Sequence, residues 1–418
     1  MGDKDVKKIL LVSPAAAYGG AEVYLLKFAE YLAFKKQWSV SLAINTSIVS
    51  KENLRLLEQK GCSVKHCDIE WFWEACDALR DGDYKNKVKR QFTALQVLIE
   101  EIKPDCTFVN MNWASFGLGL FLALEQKSQS WCALFHLVPH RLDVSPLEKH
   151  FYASLAPQKC FFGVSKNTAL FAEKSLGLAK ETVDVIANSP PSAEGLPKLL
   201  RSKAKNAKAV RKEFGISPDS PIILFAGRLD VQKGICDNFL GLVRLFEIKP
   251  NAVALIAGDG PHSAMLADLI ADFGLERKVL LLGYRKDVLN LIAGSDVFFL
   301  PSRYEGRCLA LLEALALGTT VVTTDIEPNK EIIEDNENGY LARQGDWRHI
   351  ALRIHHAISN PLRADKINSS MKSGGNMYQL MEEKLLNVLG KCENSALVRF
   401  KQQEIMSAYG LVGSTLDD

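Results

Sequence analysis

Short apolar runs recur along the chain and alternate with longer stretches whose apolar positions fall at helical spacing. In the amino-terminal half the runs at residues 8–13, 40–44, 63–67, 105–109, 131–135, 160–164 and 183–187 read as strands. Residues 22–36 follow the first of them as an amphipathic helix, and the longest apolar run, residues 114–124, reads as a packed helix too short to span a membrane. Runs at residues 221–226, 252–257, 279–282, 297–300 and 320–323 repeat the rhythm in the other half. Strands alternating with helices imply parallel sheets covered on both faces, so the expected class is α/β. Pro190, Pro191, Gly195 and Pro197 interrupt the rhythm and place a boundary there. The expected organisation is a first domain over residues 1–190, a basic linker over 191–215 and a second domain over 216–375. Residues 376–418 then form a helix that packs back on the first domain and a tail that frays from about Ser407.

The densest candidate chemistry lies in residues 296–324. A strand and a Pro301-Ser302 turn lead through a charged loop, residues 303–307, into a nearly wholly apolar helix closed by Gly318. Glu313 is the one charge inside that helix. A buried carboxylate needs a hydrogen-bond partner, which a ligand's hydroxyls or a neighbouring backbone can supply. Glu305, eight positions earlier, lies in the loop at the strand's carboxyl end, where open α/β sheets contact ligands. The plain alternative makes it a solvated loop residue.

Further back, the strand at 221–226 ends in Gly227-Arg228-Leu229-Asp230-Val231-Gln232-Lys233-Gly234. Arg228 can bridge phosphate oxygens through its fork and Lys233 adds a point charge, so together they can neutralise a diphosphate without metal; surface salt bridges are the alternative. Near the amino terminus the small residues 15–21, with Gly19 and Gly20, let backbone N–H groups approach an anion, or simply make a tight turn. No G-x-G-x-x-G is present, so a dinucleotide fingerprint is absent. His136 follows a strand, with His140 as a nearby competitor. Trp71, Asn112 and Trp113 stand in two aromatic, polar segments after strands, which suit sugar or lipid recognition and also ordinary packing.

Composition narrows the partners. A chain of 418 residues suits two domains, and 47% apolar content can fill both cores. With 51 basic and 49 acidic residues the net charge is +2, which argues against nucleic-acid binding driven by bulk charge. Basicity is local. Residues 198–212 carry Lys198, Arg201, Lys203, Lys205, Lys208, Arg211 and Lys212 with no acid, and Arg80, Lys85, Lys87, Lys89 and Arg90 form a second cluster. Such runs are solvated faces, or attract anionic lipid headgroups or a lipid diphosphate. The nine cysteines lack C-x-x-C pairing, favouring reduced thiols and a cytoplasmic setting. Cys62, His66 and Cys67 have no second ligand pair nearby, so no metal is expected.

Glu305-Gly306 followed by Glu313, with the strand, the Pro-Ser turn and the apolar helix around them, resembles the retaining glycosyltransferases of the GT-B fold with the E-x7-E motif (glycosyltransferase family 4, group 1). The G-R-L…K-G segment at 227–234 and the G-G-A-E at 19–22 resemble the same family, and the likeness runs from about residue 7 to 357. It implies two facing Rossmann-like domains, the second holding the donor and the first the acceptor. It also implies Glu313 on the ribose, Glu305 on the transferred sugar, and Arg228 and Lys233 on the diphosphate. Gly227, Gly260 and Tyr284 would then surround the nucleotide, with Gly306, Arg307, Cys308 and Leu309 in the donor loop. Gly19 and Gly20 would lie beside the donor phosphate, and His136 would reach the donor sugar; Trp71, Asn112 and Trp113 remain acceptor candidates. Two departures stand out: the usual Phe-Gly is Arg307-Cys308, placing a cation where an anionic sugar or phosphate could meet it, and a glycine-rich loop is replaced by residues 326–330.

The expected activity is transfer of a hexose-like group from a UDP- or GDP-linked sugar to a hydroxyl of a glycan or lipid-linked acceptor, with anomeric retention and without metal or nucleic acid. The setting would be glycan, cell-surface polysaccharide or glycolipid biosynthesis, in the cytoplasm or at the inner face of the membrane. An epimerase or hydrolase on this fold would instead turn over donor without acceptor. A catalytically degenerate binding subunit would bind nucleotide weakly or not at all.

Overall fold

The computed structural model describes residues 6–67, 69, 82–113, 117–137, 144–155, 161–190, 196–363, 367, 377–389 and 396–411. The chain divides into two compact units, one formed by Met1–Ala187 with Gly375–Asp418 and the other by Asn188–Gly374. Trp71 and His140 lie outside the described residues.

The first unit opens with β1 (Lys8–Val12), buried from Ile9 onward, and α1 (Gly20–Glu30), which runs into a π-helical turn at Tyr31–Lys35. There follow β2 (Ser39–Ile44), α2 (Lys51–Gln59), β3 (Cys62–His66), α3 (Gly82–Ile102), β4 (Cys106–Trp113) and α4 (Leu118–Gln126). The unit continues through β5 (Trp131–Leu137), α5 (Pro146–Leu155), β6 (Phe161–Gly163), α6 (Lys166–Leu176) and β7 (Val183–Val185). Its seven strands are all parallel in the order β3-β2-β1-β4-β5-β6-β7. Strand order therefore reverses between β1 and β4, and the carboxyl ends of strands beside such a switch point are where this architecture leaves a crevice.

The second unit begins with α7 (Leu196–Arg201) and α8 (Lys203–Phe214), then β8 (Ile222–Ala226), α9 (Phe239–Ile248), β9 (Val253–Ala257), α10 (Ser263–Asp272) and β10 (Val279–Gly283). It closes with α11 (Val288–Gly294), β11 (Val297–Leu300), α12 (Leu309–Ala316), β12 (Thr320–Thr324), α13 (Glu327–Lys330), β13 (Tyr340–Ala342) and α14 (Trp347–Ser359). Its parallel sheet has the order β10-β9-β8-β11-β12-β13, so the switch point falls between β8 and β11. Successive strand residues point to opposite faces. Ile223, Phe225 and Phe299 accordingly join the core on one side of this sheet, and Leu224, Phe298 and Leu300 the core on the other.

Four expectations change. The segment expected to be a linker is helical: α8 ends at Gly215 in a left-handed conformation and buries Val210, whose methyl lies where a side chain on Gly294 of α11 would be. The residues 110–113 expected in a loop belong to β4, because its pairing with β5 continues to Trp113 opposite Leu137. Residues 327–330 form a single helical turn, held by Asn329 Nδ2, which donates to Thr323 Oγ1 at 2.8 Å and to the Thr324 carbonyl at 3.0 Å. Finally, the carboxyl-terminal segment forms two helices, α15 (Met377–Val388) and α16 (Ala396–Ala408), and the chain beyond residue 407 stays packed as far as the buried Leu411. Met377, Met381, Leu385, Ile405 and Met406 join the first unit's core.

Candidate active site

In the second unit, the loops leaving β8 and β11 flank the switch point, and the structure brings the candidates on both into contact. Lys233 Nζ donates to Glu305 Oε1 at 2.6 Å and lies 3.7 Å from Cys308 Sγ. Glu305 is buried and further held by Ser302 Oγ at 2.6 Å and Gln232 Nε2 at 3.3 Å. Burial disfavours the Lys233 ammonium, yet Cys308, Glu305 and Asp230 together hold its proton more tightly than usual. Burial also raises the Cys308 thiol, which is therefore uncharged near neutrality, and this leaves the Glu305 carboxylate as the principal counter-charge. Asp230 aligns both cations, accepting from the Lys233 backbone N–H at 3.0 Å and from Arg228 Nε at 2.5 Å. Arg228 itself is largely exposed, so its remaining donors face solvent.

Eight residues beyond Glu305, on α12, Glu313 has no protein partner among the described residues. No group among the described residues supplies the expected partner, which leaves that role to a ligand's hydroxyls, and burial pushes its carboxyl up to about 7. Gly227 and Gly260 stand on neighbouring loops that are closely fitted: the Gly227 N–H donates to the Ala257 carbonyl at 3.0 Å and the Leu229 N–H to the Asp259 carbonyl at 2.9 Å. Gly258 and Gly260 both have positive φ, and a Cβ on either would run into the carbonyl of Gly227 or Leu229. Tyr284 is 70% exposed just past β10. Gly306 is buried and Leu309 half-buried at the start of α12. Arg307 does not stand free: its Nε donates to the Asn188 carbonyl at 2.9 Å, and burial lowers its pKa.

In the first unit a second group of candidates gathers at the carboxyl ends of β4 and β5. His136 is buried with Nε2 at 2.8 Å from Asn110 Oδ1, its ring edge-on to Tyr24. Burial pushes its pKa down to about 3, so the ring is neutral. The Gly19 N–H is engaged by Glu22 Oε2 at 2.9 Å and is therefore not open to an anion, while Gly20 is exposed at the first turn of α1. Trp113 is half-buried against the core, and the Asn112 Oδ1 is buried without a hydrogen bond.

Sequence reasoning passed over Asp230, Gln232, Ser302 and Asn110 as site residues. Asp230 and Gln232 lie between Arg228 and Lys233, which was the available signal; Asn110 became visible only when β4 and β5 were paired. No group of three or more potential metal ligands occurs among the described residues, and no helix there is long and apolar enough to cross a membrane.

Residues 206–373 match the family model of glycosyl transferases group 1. An uncharacterised glycosyltransferase of Methanocaldococcus jannaschii is 38% identical over 152 residues, which is 36% of this chain and 39% of that protein. The UDP-Gal:alpha-D-GlcNAc-diphosphoundecaprenol alpha-1,3-galactosyltransferase of Escherichia coli is 30% identical over 176 residues, 41% of this chain and 44% of that protein. The matched stretch thus spans only about two-fifths of these relatives' own lengths. Among solved structures, HepE of Anabaena in complex with UDP and glucose is 19% identical and superposes over 91% of this chain and 99% of its own with a TM-score of 0.68. Two Rossmann-like units of this kind are the GT-B fold.

Proposed function

We propose, from the match of residues 206–373 to the glycosyl transferases group 1, that the chain transfers a hexose-like group from a nucleotide diphosphate sugar to an acceptor hydroxyl with retention of anomeric configuration. The observation that carries the reading is Glu313, a largely buried carboxylate without a protein partner among the described residues, in the same unit as the Lys233–Glu305 pair. Two adjacent ribose hydroxyls are the kind of donors it lacks. A diphosphate placed at the 227–234 turn would meet the exposed Arg228 fork and the Lys233 ammonium. Those two charges offset the charge that grows as the bond from the anomeric carbon to the diphosphate oxygen breaks. The acceptor oxygen then bonds to the same face of that carbon, and its proton passes to the departing phosphate oxygen. Glu305, released from Lys233 by the phosphate, is left to contact the sugar. With two protein cations at the leaving group, no divalent ion is required.

Uridine is the favoured base, since HepE was solved with UDP and glucose. A glycan or lipid-linked hydroxyl is the favoured acceptor, given that the Escherichia coli relative is named for a diphosphoundecaprenol substrate. The basic helix α8 would hold the protein at an anionic membrane surface.

Calorimetric titration of UDP and GDP in the presence of EDTA tests the core of this reading. Selective binding of one nucleotide, abolished by Glu313→Ala, is expected. Absence of binding by either, or binding that needs added metal, would sink it.

A further inference from the structure

Asn238 stands at the start of α9, where an asparagine ordinarily turns its side chain onto the helix's own first amides. Here the side chain makes no such bond. It reaches back instead to the two loops that carry Lys233 and Glu305. Its Nδ2 donates to the Gly234 carbonyl at 2.8 Å and to the Pro301 carbonyl at 3.3 Å. Carbonyls only accept, so the NH2 end must face them and Oδ1 must face away. Asn238 is 3% exposed, and its Oδ1 is buried without a hydrogen bond among the described residues. What the amide contributes therefore comes from its NH2 group.

The seam it closes is tight. Gly234 has a φ of +63°, and a Cβ there would come within 2.5 Å of the Pro301 oxygen. Beside it the Arg303 N–H donates to the Gln232 carbonyl at 2.8 Å, and Arg303 Nε pairs with Asp237 Oδ2 at 2.8 Å. Gly234 follows Lys233 directly, and Pro301 leads through Ser302 to Glu305. The spacing of the two clasped carbonyls thus sets the gap across which Lys233 Nζ meets Glu305 Oε1 at 2.6 Å.

We propose that Asn238 is a positioning residue whose NH2 group clasps the loops leaving β8 and β11, and so holds the Lys233 ammonium where a nucleotide diphosphate meets it. The ligand rests on the glycosyltransferase reading; the clasp rests on the protein alone. A helix cap and a clasp need opposite ends of the amide. A cap uses the oxygen, which aspartate supplies as well as asparagine does. A clasp uses the N–H groups, which aspartate lacks, and its carboxylate would face two carbonyl oxygens.

Asn238→Asp, Asn238→Ala and Asn238→Ser separate the two roles. Nitrogen-15 spectra of the lysine side chains, without ligand, should show a slowly exchanging ammonium in the parent, assigned to Lys233 by its loss in Lys233→Met. That signal should weaken in the serine variant, whose hydroxyl can donate to one carbonyl, and vanish in the other two; an unchanged signal in Asn238→Asp would overturn the proposal. Binding of UDP in EDTA, or of GDP if that is the nucleotide selected, should weaken about tenfold in Asn238→Ala and at least as much in Asn238→Asp. Adding Asn238→Ala to Lys233→Met should cost nothing further if Asn238 acts through the lysine. A further loss in the double variant, or binding like the parent's in Asn238→Asp, would reduce Asn238 to a helix cap or a packing residue. Should the alanine and aspartate variants not fold, the lysine spectrum of Asn238→Ser and its combination with Lys233→Met decide in the same way. Failure of the parent to bind either nucleotide would overturn the functional reading and leave the ammonium spectra to decide the clasp.

Discussion

Glu313 shows how a single buried carboxyl ties binding to stability. Its pKa of about 7 in the folded protein compares with an ordinary value of about 4.3 for an exposed glutamate. Between those two values the folded state keeps a proton that the unfolded chain has released, so stability falls as pH rises through the window. Glu313→Gln removes the titration while preserving the side chain's shape. It should stabilise the protein at pH 8 by up to about 3 kcal/mol and change nothing at pH 4. Nucleotide affinity should fall in the same variant, because the amide replaces one of the two acceptor oxygens with a donor and removes the charge. Urea unfolding at the two pH values is the measurement, and equal curves for variant and parent at pH 8 would show that the carboxyl is not desolvated. Glu313 was conspicuous in the sequence as one charge in an apolar helix. The surroundings of Glu305 were not, since Gln232 and Lys233 converge on it only when β8 and β11 lie side by side.

At the scale of elements, α8 separates a charge run into two roles. Lys203 Nζ donates to the Gly318 carbonyl at 2.6 Å and Arg211 Nη2 to Asp296 Oδ2 at 2.8 Å, so these two cations fasten the helix to its own unit. Lys205, Lys208 and Lys212, at helical spacing on one stripe, are exposed. Attraction to anionic headgroups is worth roughly 1 kcal/mol per lysine, so the stripe contributes on the order of a hundredfold in partitioning. The protein should co-sediment with phosphatidylglycerol vesicles at low salt, and not with phosphatidylcholine vesicles. Replacing the three lysines by glutamate should abolish this without changing nucleotide affinity; undiminished sedimentation would move the membrane contact elsewhere. This helix also marks the limit of pattern reading. Strands were legible because buried parallel strands leave continuous apolar runs, as at Ile222–Ala226. The prolines before residue 198 suggested a linker, whereas the alanines and lysines after it favour helix and one buried Val210 anchors it. The end of β4 was missed for a related reason: Asn110 and Asn112 are poor strand formers that pairing with β5 overrides.

At the scale of the whole molecule, each unit has its own core, and the chain's last helices complete the first one. Met377, Met381 and Leu385 of α15, with Ile405 and Met406 of α16, are buried among residues of the amino-terminal sheet, so that core cannot be finished until the carboxyl terminus is made. Units with separate cores unfold as separate cooperative blocks. Arg228, Lys233 and Glu313, the charged groups proposed for the nucleotide diphosphate, belong to the other unit. Binding stabilises only the block that contains the site, by about 2.7 kcal/mol when ligand stands at a hundred times its dissociation constant. For a block of this size that corresponds to a rise of roughly 5–10 °C. Scanning calorimetry should therefore resolve two transitions, one of which climbs with nucleotide and is unmoved by it in Glu313→Ala. Truncation before Met377 should lower the other transition and leave the nucleotide-dependent one where it was. A single transition that shifts as a whole with ligand would mean that the two cores, though built from different residues, melt as one.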